Sequence, residues 1–347
     1  MLNSVIANRI VNRLAPPQSS RRTSWLAPLC VVAILAALPM LLSPYLLDLA
    51  LKIIIFAIFA LSLELLVGTT GLVSLGHAAY FGLAGYITAM LSQNTEPASL
   101  LILLPLAMLG AGAYALVVGA LSLRTKGVYF IMVTLAFAQM AYYVFHDTPI
   151  GGGSDGMYVM LRPALQLTGT MLIDLENSRH LYFFSLGAML LTYGFLTLLK
   201  RSRFGHALAG IRTNEQRMRA AGYQTYFYKL AAFVIAGMLA GLAGMLMATK
   251  NGLVNPEMLS WHESGAVLLM IILGGLGSLR GAVIGAVAFV LLKEFYASEA
   301  IFGALASRWQ LTLGVTMILF VAFLPTGLIG LKSRLQHVLN PATGAGK

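Results

Sequence analysis

The sequence predicts an all-α fold: a polytopic transmembrane helical bundle of about ten spans, with short or re-entrant helices among them. Two observations carry this prediction. Of 347 residues, 59% are hydrophobic and only 10% are charged, whereas a soluble domain carries about 25% charged residues. The hydrophobic residues also form long runs, separated by Gly, Pro or charge, and most runs approach the roughly 20 residues that cross a bilayer as a helix.

The runs divide the chain into a basic N-terminal tail, residues 1–24, a transmembrane domain, residues 25–331, and a polar C-terminal tail, residues 332–347. No convincing cleavage site follows the first run, so we expect it to remain as a span. The eighth and ninth runs are short and joined by a glycine-rich stretch, a pattern typical of half-helices or a re-entrant pair. The expected spans, in order, are Leu26–Leu42, Tyr45–Val67, Leu72–Leu91, Leu100–Leu121, Val128–Phe145, Leu181–Leu199, Phe227–Ala248, Ser264–Leu276, Ala282–Leu292 and Leu311–Leu331.

The formal net charge of +11 would suggest a nucleic-acid partner in a soluble protein. Here the topology accounts for it. With the N-terminus in the cytosol, ten crossings place seventeen Lys and Arg inside and five outside, as the positive-inside rule expects. We therefore expect both termini in the cytosol, contact with membrane lipid, and no nucleic acid. The single cysteine, Cys30, excludes an intrachain disulfide, and the six histidines show no metal-ligand spacing.

The densest charge lies in one stretch, Lys200–Lys229, which carries seven Lys and Arg and one carboxylate, Glu215. Apolar residues recur at offsets 0, 4 and 7 from Phe204, which predicts a helix with one apolar face. Asn214 follows Thr213 at the end of this pattern and is a plausible start for a second helix. We therefore expect two short helices at the inner surface of the membrane, with a break near Thr213.

Small residues end the second of these helices, because Ala220 and Ala221 precede Gly222, which is a natural C-terminal stop. Small side chains allow the surface of another protein to approach closely. A topology signal alone needs only a few basic residues rather than an ordered pair of helices. We therefore favour a docking site for a cytosolic partner over a basic loop that only sets topology and contacts anionic lipid.

In the charged stretch, Asn214-Glu215 is followed by Ala220-Ala221-Gly222. With these residues in place of an EAA-type motif, the stretch is similar to the cytoplasmic coupling loop of ABC-importer permeases, and the chain as a whole resembles the LivM-type permeases of branched-chain amino-acid importers. Its Gln216-Arg217-Met218-Arg219 segment is more basic than the pattern of that family. The other matching segments, in the order of the family, are Leu61–Tyr86, Arg124–Met140, Gly151–Gly156, Lys229–Ala248, Glu263–Ala286 and Trp309–Gly330.

The resemblance implies a permease subunit in the inner membrane of a bacterium, which moves branched-chain or similar amino acids into the cytoplasm. It implies three kinds of partner: a cytoplasmic ABC ATPase dimer, a second related permease chain and an extracytoplasmic substrate-binding protein. ATP would be bound by the ATPase, because this chain has no G-x-x-x-x-G-K-[ST] motif; we expect no cofactor in this chain and no enzymatic activity. The coupling loop, about residues 201–226, would use Gly205, Arg212, Asn214, Glu215, Ala220, Ala221 and Gly222.

Polar side chains and flexible glycines inside the apolar runs are candidates for the translocation path. Glu64 is an intramembrane acid, which makes it a functional candidate, although it also lies near the expected inner interface. Lys52 follows Asp48 by four residues, the spacing of a helical ion pair, and is expected to snorkel outward. His77 is expected either to pack or to line the path. The path candidates are Glu64, Ser74, His77, Thr134, Gln139, Gly274 and Gly275.

Three alternatives remain open from the residues. A permease for urea or short-chain amides has the same architecture, and the sequence does not decide which amino acid or amide is carried. A self-contained secondary transporter would need no docking loop and usually pairs ionisable residues within its spans. A membrane enzyme would gather catalytic groups at one interface, and the sequence shows no such group.

Overall fold

The computed structural model describes residues 26–93, 98–167, 170–324 and 326–331. The two predicted tails, residues 1–24 and 332–347, lie outside these residues. The chain divides after Leu47 into a short N-terminal unit and a bundle that begins at Asp48. The helices are α1 Leu26–Leu41, α2 Pro44–Glu64, α3 His77–Leu91, α4 Leu100–Ser122, α5 Val128–Asp147, α6 Ser178–Arg201, α7 Arg203–Thr213, α8 Glu215–Ala220, α9 Thr225–Asn251, α10 Trp261–Gly274, α11 Leu279–Ala297, α12 Glu299–Phe302 and α13 Trp309–Phe323.

The predicted all-α polytopic bundle is confirmed, and the number of about ten spans is approximate. Within the described ranges, six helices are long and apolar enough to cross a membrane, or seven when α10 and α11 count as one bent span. The difference arises because α1 has 16 residues, α3 has 15 and α10 has 14, which is short for a hydrocarbon core of about 30 Å. The six long spans are Pro44–Thr70, Leu100–Ser122, Val128–Asp147, Ser178–Arg201, Thr225–Asn251 and Ala306–Phe323.

The core of the bundle is built around α9, which packs closely on α3 and α4 through small residues. A Cβ atom added at Gly241 would lie 2.6 Å from the Cβ of Ala111, and one added at Gly244 would overlap the carbonyl oxygen of Phe81. The spacing Gly237-x-x-x-Gly241 therefore serves close helix packing.

A sharp bend of 115° separates α10 from α11. Two glycines with positive φ, Gly275 at 115° and Gly277 at 89°, form the break. A Cβ at Gly274 would overlap the carbonyl oxygen of Gly281, and one at Gly285 would overlap that of Met270. The two helices therefore pack backbone against backbone, and the expected half-helix or re-entrant pair is confirmed.

The connection between α5 and α6 contains short strands that the sequence analysis did not predict. Strand β1, Met157–Tyr158, pairs antiparallel with β4, Leu253–Val254. Strands β2, Ala164–Leu167, and β3, Thr170–Asp174, form a second antiparallel pair. The glycine run from residue 151 to 156 forms two 3₁₀ turns beside them. Both strand pairs lie in connections between helices of the bundle.

Candidate functional site

The charged stretch forms the two short helices that the sequence predicts, α7 and α8. Ser202 caps α7 by accepting a hydrogen bond of 3.3 Å from the amide of Gly205. Asn214 interrupts the helical backbone and caps α8 by accepting one of 2.9 Å from the amide of Arg217. Gly222, with φ of +87°, follows the end of α8. Short polar side chains stabilise such helix starts by satisfying free amides, so local chemistry places the break.

The apolar face of α7 points into the bundle. Leu208 and Ile211 are buried, and the ring of Phe204 stacks on Tyr228 of α9 with 5.5 Å between centroids. A Cβ at Gly205 would lie 2.6 Å from the carbonyl oxygen of Lys200, so glycine allows the tight turn from α6 into α7. This packing confirms the predicted amphipathic helix.

Glu215 anchors α8 to the start of α9. Its Oε1 atom accepts hydrogen bonds from Arg219 Nη2 at 2.6 Å and from Thr225 Oγ1 at 3.0 Å, and Lys229 Nζ lies 2.9 Å away. Partial burial of this carboxylate acts to raise its pKa, but the hydrogen bond and charge of Lys229, with Thr225 and Arg219, outweigh burial and lower the pKa from an ordinary 4.5 to about 2. Glu215 is therefore ionised at neutral pH and faces inward.

The exposed surface of α8 includes the small residues at its end, together with Gln216, Arg217 and Arg219. Ala220, Ala221 and Gly222 are all exposed, and a Cβ added at Gly222 would meet no atom within 4 Å. The predicted loop residues thus differ in their contacts. Gly205, Arg212 and Glu215 hold the loop to the bundle. Asn214 caps α8, and the small segment at residues 220–222 is part of the exposed surface.

Replacing Glu215 by glutamine is expected to loosen α8. The lowered pKa means that the ionised carboxylate stabilises the fold above about pH 4.5, and that this contribution is lost as the pH falls towards 2. Glutamine cannot pair with Lys229, so it should reproduce the acid state at pH 7. Hydrogen exchange measured by mass spectrometry should show amides 215–222 exchanging about tenfold faster. Glu176→Gln, at an exposed acid outside this network, should change nothing, and equal exchange in both variants would contradict this role.

We call the end of the bundle that carries α7 and α8 the loop end. Glu64 lies at this end, but its side chain is fully buried rather than placed at the interface. The ammonium of Lys200 lies 3.6 Å from Glu64 Oε1 and donates a hydrogen bond of 3.3 Å to the carbonyl of Gly277. Arg212 donates to the carbonyl of Gly68. An intramembrane ion pair therefore exists, and the sequence analysis did not predict the partner of Glu64.

Three predicted path residues come together in the middle of the bundle. His77 Nε2 lies 2.8 Å from the hydroxyl of Ser62, and its ring stacks on Phe59. Ser74 is buried and accepts a hydrogen bond from the amide of Gly76. Gly76 packs directly on the carbonyl of Thr134. Ser74 and His77 thus lie on either side of Gly76 at the start of α3, where Gly76 packs on Thr134 of α5.

The remaining path candidates lie elsewhere. Gly274 and Gly275 belong to the break at the loop end, close to the carbonyl that Lys200 binds. Gln139 lines an open groove on α5 together with Met140 and Tyr143. The seven candidates therefore form a central group, a group at the loop end, and one separate residue.

A second charged group lies at the far end, the end of the bundle opposite α7 and α8. Asp48 pairs there with Lys250 of α9, at 2.7 Å between Oδ1 and Nζ, and not with Lys52 as the helical spacing predicts. Lys52 is half-buried instead. Residues 52 and 68 of the same span lie about 24 Å apart at 1.5 Å per residue, which separates this group from the loop end.

Lys52 shares the far end with charges from two other helices. Glu263 of α10 and Lys293 of α11 are both half-buried, and each lies within electrostatic range of Lys52. The Lys293 ammonium sits 4.7 Å from the centre of the Trp309 ring. The expected spans began at Ser264 and ended at Leu292, so they left out Glu263 and Lys293, because helix ends are the least certain part of a pattern. In the part of the chain that the structure covers, no group of three His, Cys, Asp or Glu could hold a metal ion.

The sequence is similar to those of known transport permeases. The chain is 27% identical to the high-affinity branched-chain amino acid transport system permease protein LivM of Escherichia coli (strain K12), with 94% of this chain aligned to 80% of that protein. It is 29% identical to LivM of Salmonella typhimurium (strain LT2), with 88% aligned to 74%. A shorter match, 31% identical over 28% of this chain and 26% of the relative, links it to the xylose transport system permease protein XylH of Escherichia coli (strain K12). No solved structure gives a significant match.

A family model covers most of the bundle. The model described as branched-chain amino acid transport system / permease component matches residues 45–324. This range begins at the second residue of α2 and ends one residue after α13, so it includes α7, α8 and both charged groups. The chain therefore belongs to the family of branched-chain amino acid transport system permease components.

Proposed function

We propose that the chain is the membrane-embedded permease subunit of an ABC importer that brings branched-chain or similar amino acids into the cytoplasm. The observation that carries this proposal is the pair α7 and α8, which the Glu215 network anchors and which exposes Ala220, Ala221 and Gly222. A loop that is held by ion pairs on one side and exposes a small-residue segment on the other fits a docking role. The names of the relatives, which are branched-chain amino acid permeases, agree with it.

Transport by such a subunit depends on partners. The chain has no nucleotide-binding motif, so a cytoplasmic ATPase dimer would bind ATP and move α7 and α8. A second related permease would complete the path, and an extracytoplasmic binding protein would deliver the substrate at the far end. We propose an inner-membrane location with the loop end and both termini in the cytoplasm, as the positive-inside rule expects.

The far end favours an amino acid over urea as cargo. An α-amino acid carries an ammonium and a carboxylate, whereas urea and short-chain amides are neutral. Lys52, Glu263 and Lys293 present charges of both signs from three different helices, which suits a zwitterion that leaves its binding protein there. We propose that Ser74, His77 and Thr134 line the middle of the path, that Glu64, Gly274 and Gly275 lie at its inner end, and that Gln139 also contributes to it.

Copurification tests the proposal directly. The tagged chain would be solubilised in mild detergent, captured, and the bound chains identified by mass spectrometry. We expect an ABC ATPase and a second permease of the same family to be retained through washing. Transport that persists in proteoliposomes containing this chain alone, without ATP, would contradict the proposal and support a secondary transporter instead.

Competition for uptake tests the cargo. ATP-dependent uptake of labelled leucine, measured in vesicles that contain the complete transporter, should be blocked by unlabelled leucine or isoleucine. Excess urea should have no effect, because it offers no charge to Lys52 and Glu263, and lysine should compete at least about tenfold less well than leucine. Inhibition by urea at the concentration effective for leucine would instead identify an amide permease.

A further inference from the structure

Two irregular backbone segments meet the loop at the loop end. The last turn of the second span, Leu65–Thr70, is a π-helix that ends at Gly71 with φ of +74°. The other is the break between α10 and α11, at residues 275–278. Single π turns inside helices are rare and occur often at functional sites. Both segments contain backbone carbonyls that accept no regular helical hydrogen bond and therefore need other donors.

Two cations near the coupling loop supply those donors. Arg212, in the last turn of α7, donates to the carbonyl of Gly68 in the π turn. Lys200, in the last turn of α6, donates to the carbonyl of Gly277 in the break. The Cγ atom of Arg212 also lies 3.2 Å from the position of a Cβ at Gly71. Each cation thus ties one irregular segment to the helices beside the docking surface.

A buried acid completes the group. The Glu64 carboxylate is fully buried, and neither of its oxygens has a hydrogen-bond partner among the described residues. Lys200 is its ion-pair partner, at 3.6 Å. A side chain at residue 68 would overlap this carboxylate, so Gly68 gives it room. An unpaired buried carboxylate is costly, so the arrangement in which Lys200 stays beside Glu64 is strongly favoured over one in which Lys200 moves away.

Open space lies beside these contacts. A cavity of about 470 Å³ is lined by Thr69, Lys200, Gly205, Arg212 and Gly277, among others. The side chains of Lys200 and Arg212 can therefore leave their carbonyls without displacing packed groups. Only a few electrostatic contacts hold Lys200 and Arg212. The two side chains can therefore exist in a bound state and a released state.

We propose that Glu64, Lys200 and Arg212 form a charge clamp that holds the π turn of α2 and the α10–α11 break closed at the loop end, and that displacement of α7 and α8 opens it. This inference rests on the proposed function for the origin of that displacement. Within it, Lys200 and Arg212 are positioning residues: they touch backbone carbonyls and Glu64, and they pass the movement of the loop to the inner ends of two spans.

A thermal double-mutant cycle on the purified full chain tests the clamp without any partner. Lys200→Gln leaves the Glu64 carboxylate buried and unpaired, so the midpoint of thermal unfolding should fall by several degrees. Adding Glu64→Gln removes the unpaired charge, so the double variant should be more stable than Lys200→Gln alone. A double variant that is less stable than Lys200→Gln would overturn the pairing, whether or not an ATPase ever copurifies.

ATP hydrolysis by the copurified transporter tests the coupling. With the clamp broken in Lys200→Gln or Arg212→Gln, hydrolysis in the absence of substrate should rise about tenfold while uptake falls by a similar factor. Arg124→Gln removes an exposed positive charge between α4 and α5 and should leave both rates unchanged. Clamp variants that keep normal hydrolysis and normal uptake would overturn the coupling, even if the thermal cycle supports the ion pair.

Discussion

Replacing Gly244 by alanine is expected to abolish most of the yield of folded protein in the membrane. Gly244 lies where α9 crosses α3, and a Cβ atom there would overlap the carbonyl oxygen of Phe81. A backbone carbonyl cannot rotate away as a flexible side chain can, so the two helices would have to separate. Overpacking of this kind costs about 3 kcal/mol, and separation would also disturb the neighbouring contact of Gly241 with Ala111.

The matched control is the same substitution at Gly194 in α6. Gly194 is also helical, and a Cβ there meets no atom within 4 Å. Alanine favours a helix over glycine by about 1 kcal/mol, so Gly194→Ala should be neutral or stabilising. Fluorescence-detected size-exclusion chromatography after solubilisation measures the folded fraction of both variants. Equal yields of the two variants would show that the α3–α9 contact tolerates a methyl group and would contradict this prediction.

Replacing Gly222 by aspartate is expected to stop uptake while ATP hydrolysis continues. The residue is exposed beside Ala220 and Ala221, and open space surrounds it, so the added carboxylate should fit within this chain. It would instead enlarge and charge the surface proposed to receive the ATPase. We expect uptake by the assembled transporter to fall at least about tenfold, the lower range of coupling between distant sites.

The positive φ of Gly222 requires a control for backbone strain. Gly252 ends α9 at the far end with φ of +67°, and it is equally open. Aspartate tolerates this conformation better than most residues, so Gly252→Asp imposes the same local strain away from the loop. It should retain uptake. Normal uptake in Gly222→Asp, or an equal loss in both variants, would count against the docking surface.

The sequence predicts those parts of the structure that depend on neighbours along the chain. The break between α7 and α8 follows from Asn214 and the end of α8 from Gly222, because their backbone and capping preferences act over three or four residues. The apolar face of α7 follows from helical spacing. The bend between α10 and α11 follows from a cluster of glycines. Each of these features needed no knowledge of the fold.

Contacts between distant segments were not predictable in the same way. Glu64 is a recognisable intramembrane acid, but Lys200 lies far along the chain, and no helical spacing relates the two. Lys229 reaches Glu215 only because α8 folds back onto the start of α9. The pairing of Asp48 with Lys250 was missed because a nearer lysine, Lys52, offered the expected spacing. In each case the ion-pair partner is determined by tertiary packing.

The bend between α10 and α11 also constrains how the chain enters the bilayer during synthesis. With 14 residues, α10 is about 21 Å long and cannot cross a hydrocarbon core of about 30 Å unaided. We therefore expect α10 to enter the bilayer only together with α11, as one hairpin. The carbonyl of Gly277 would then face lipid without a donor. Lys200 has already been synthesised by that time, so the order of the segments along the chain provides the donor before its acceptor arrives.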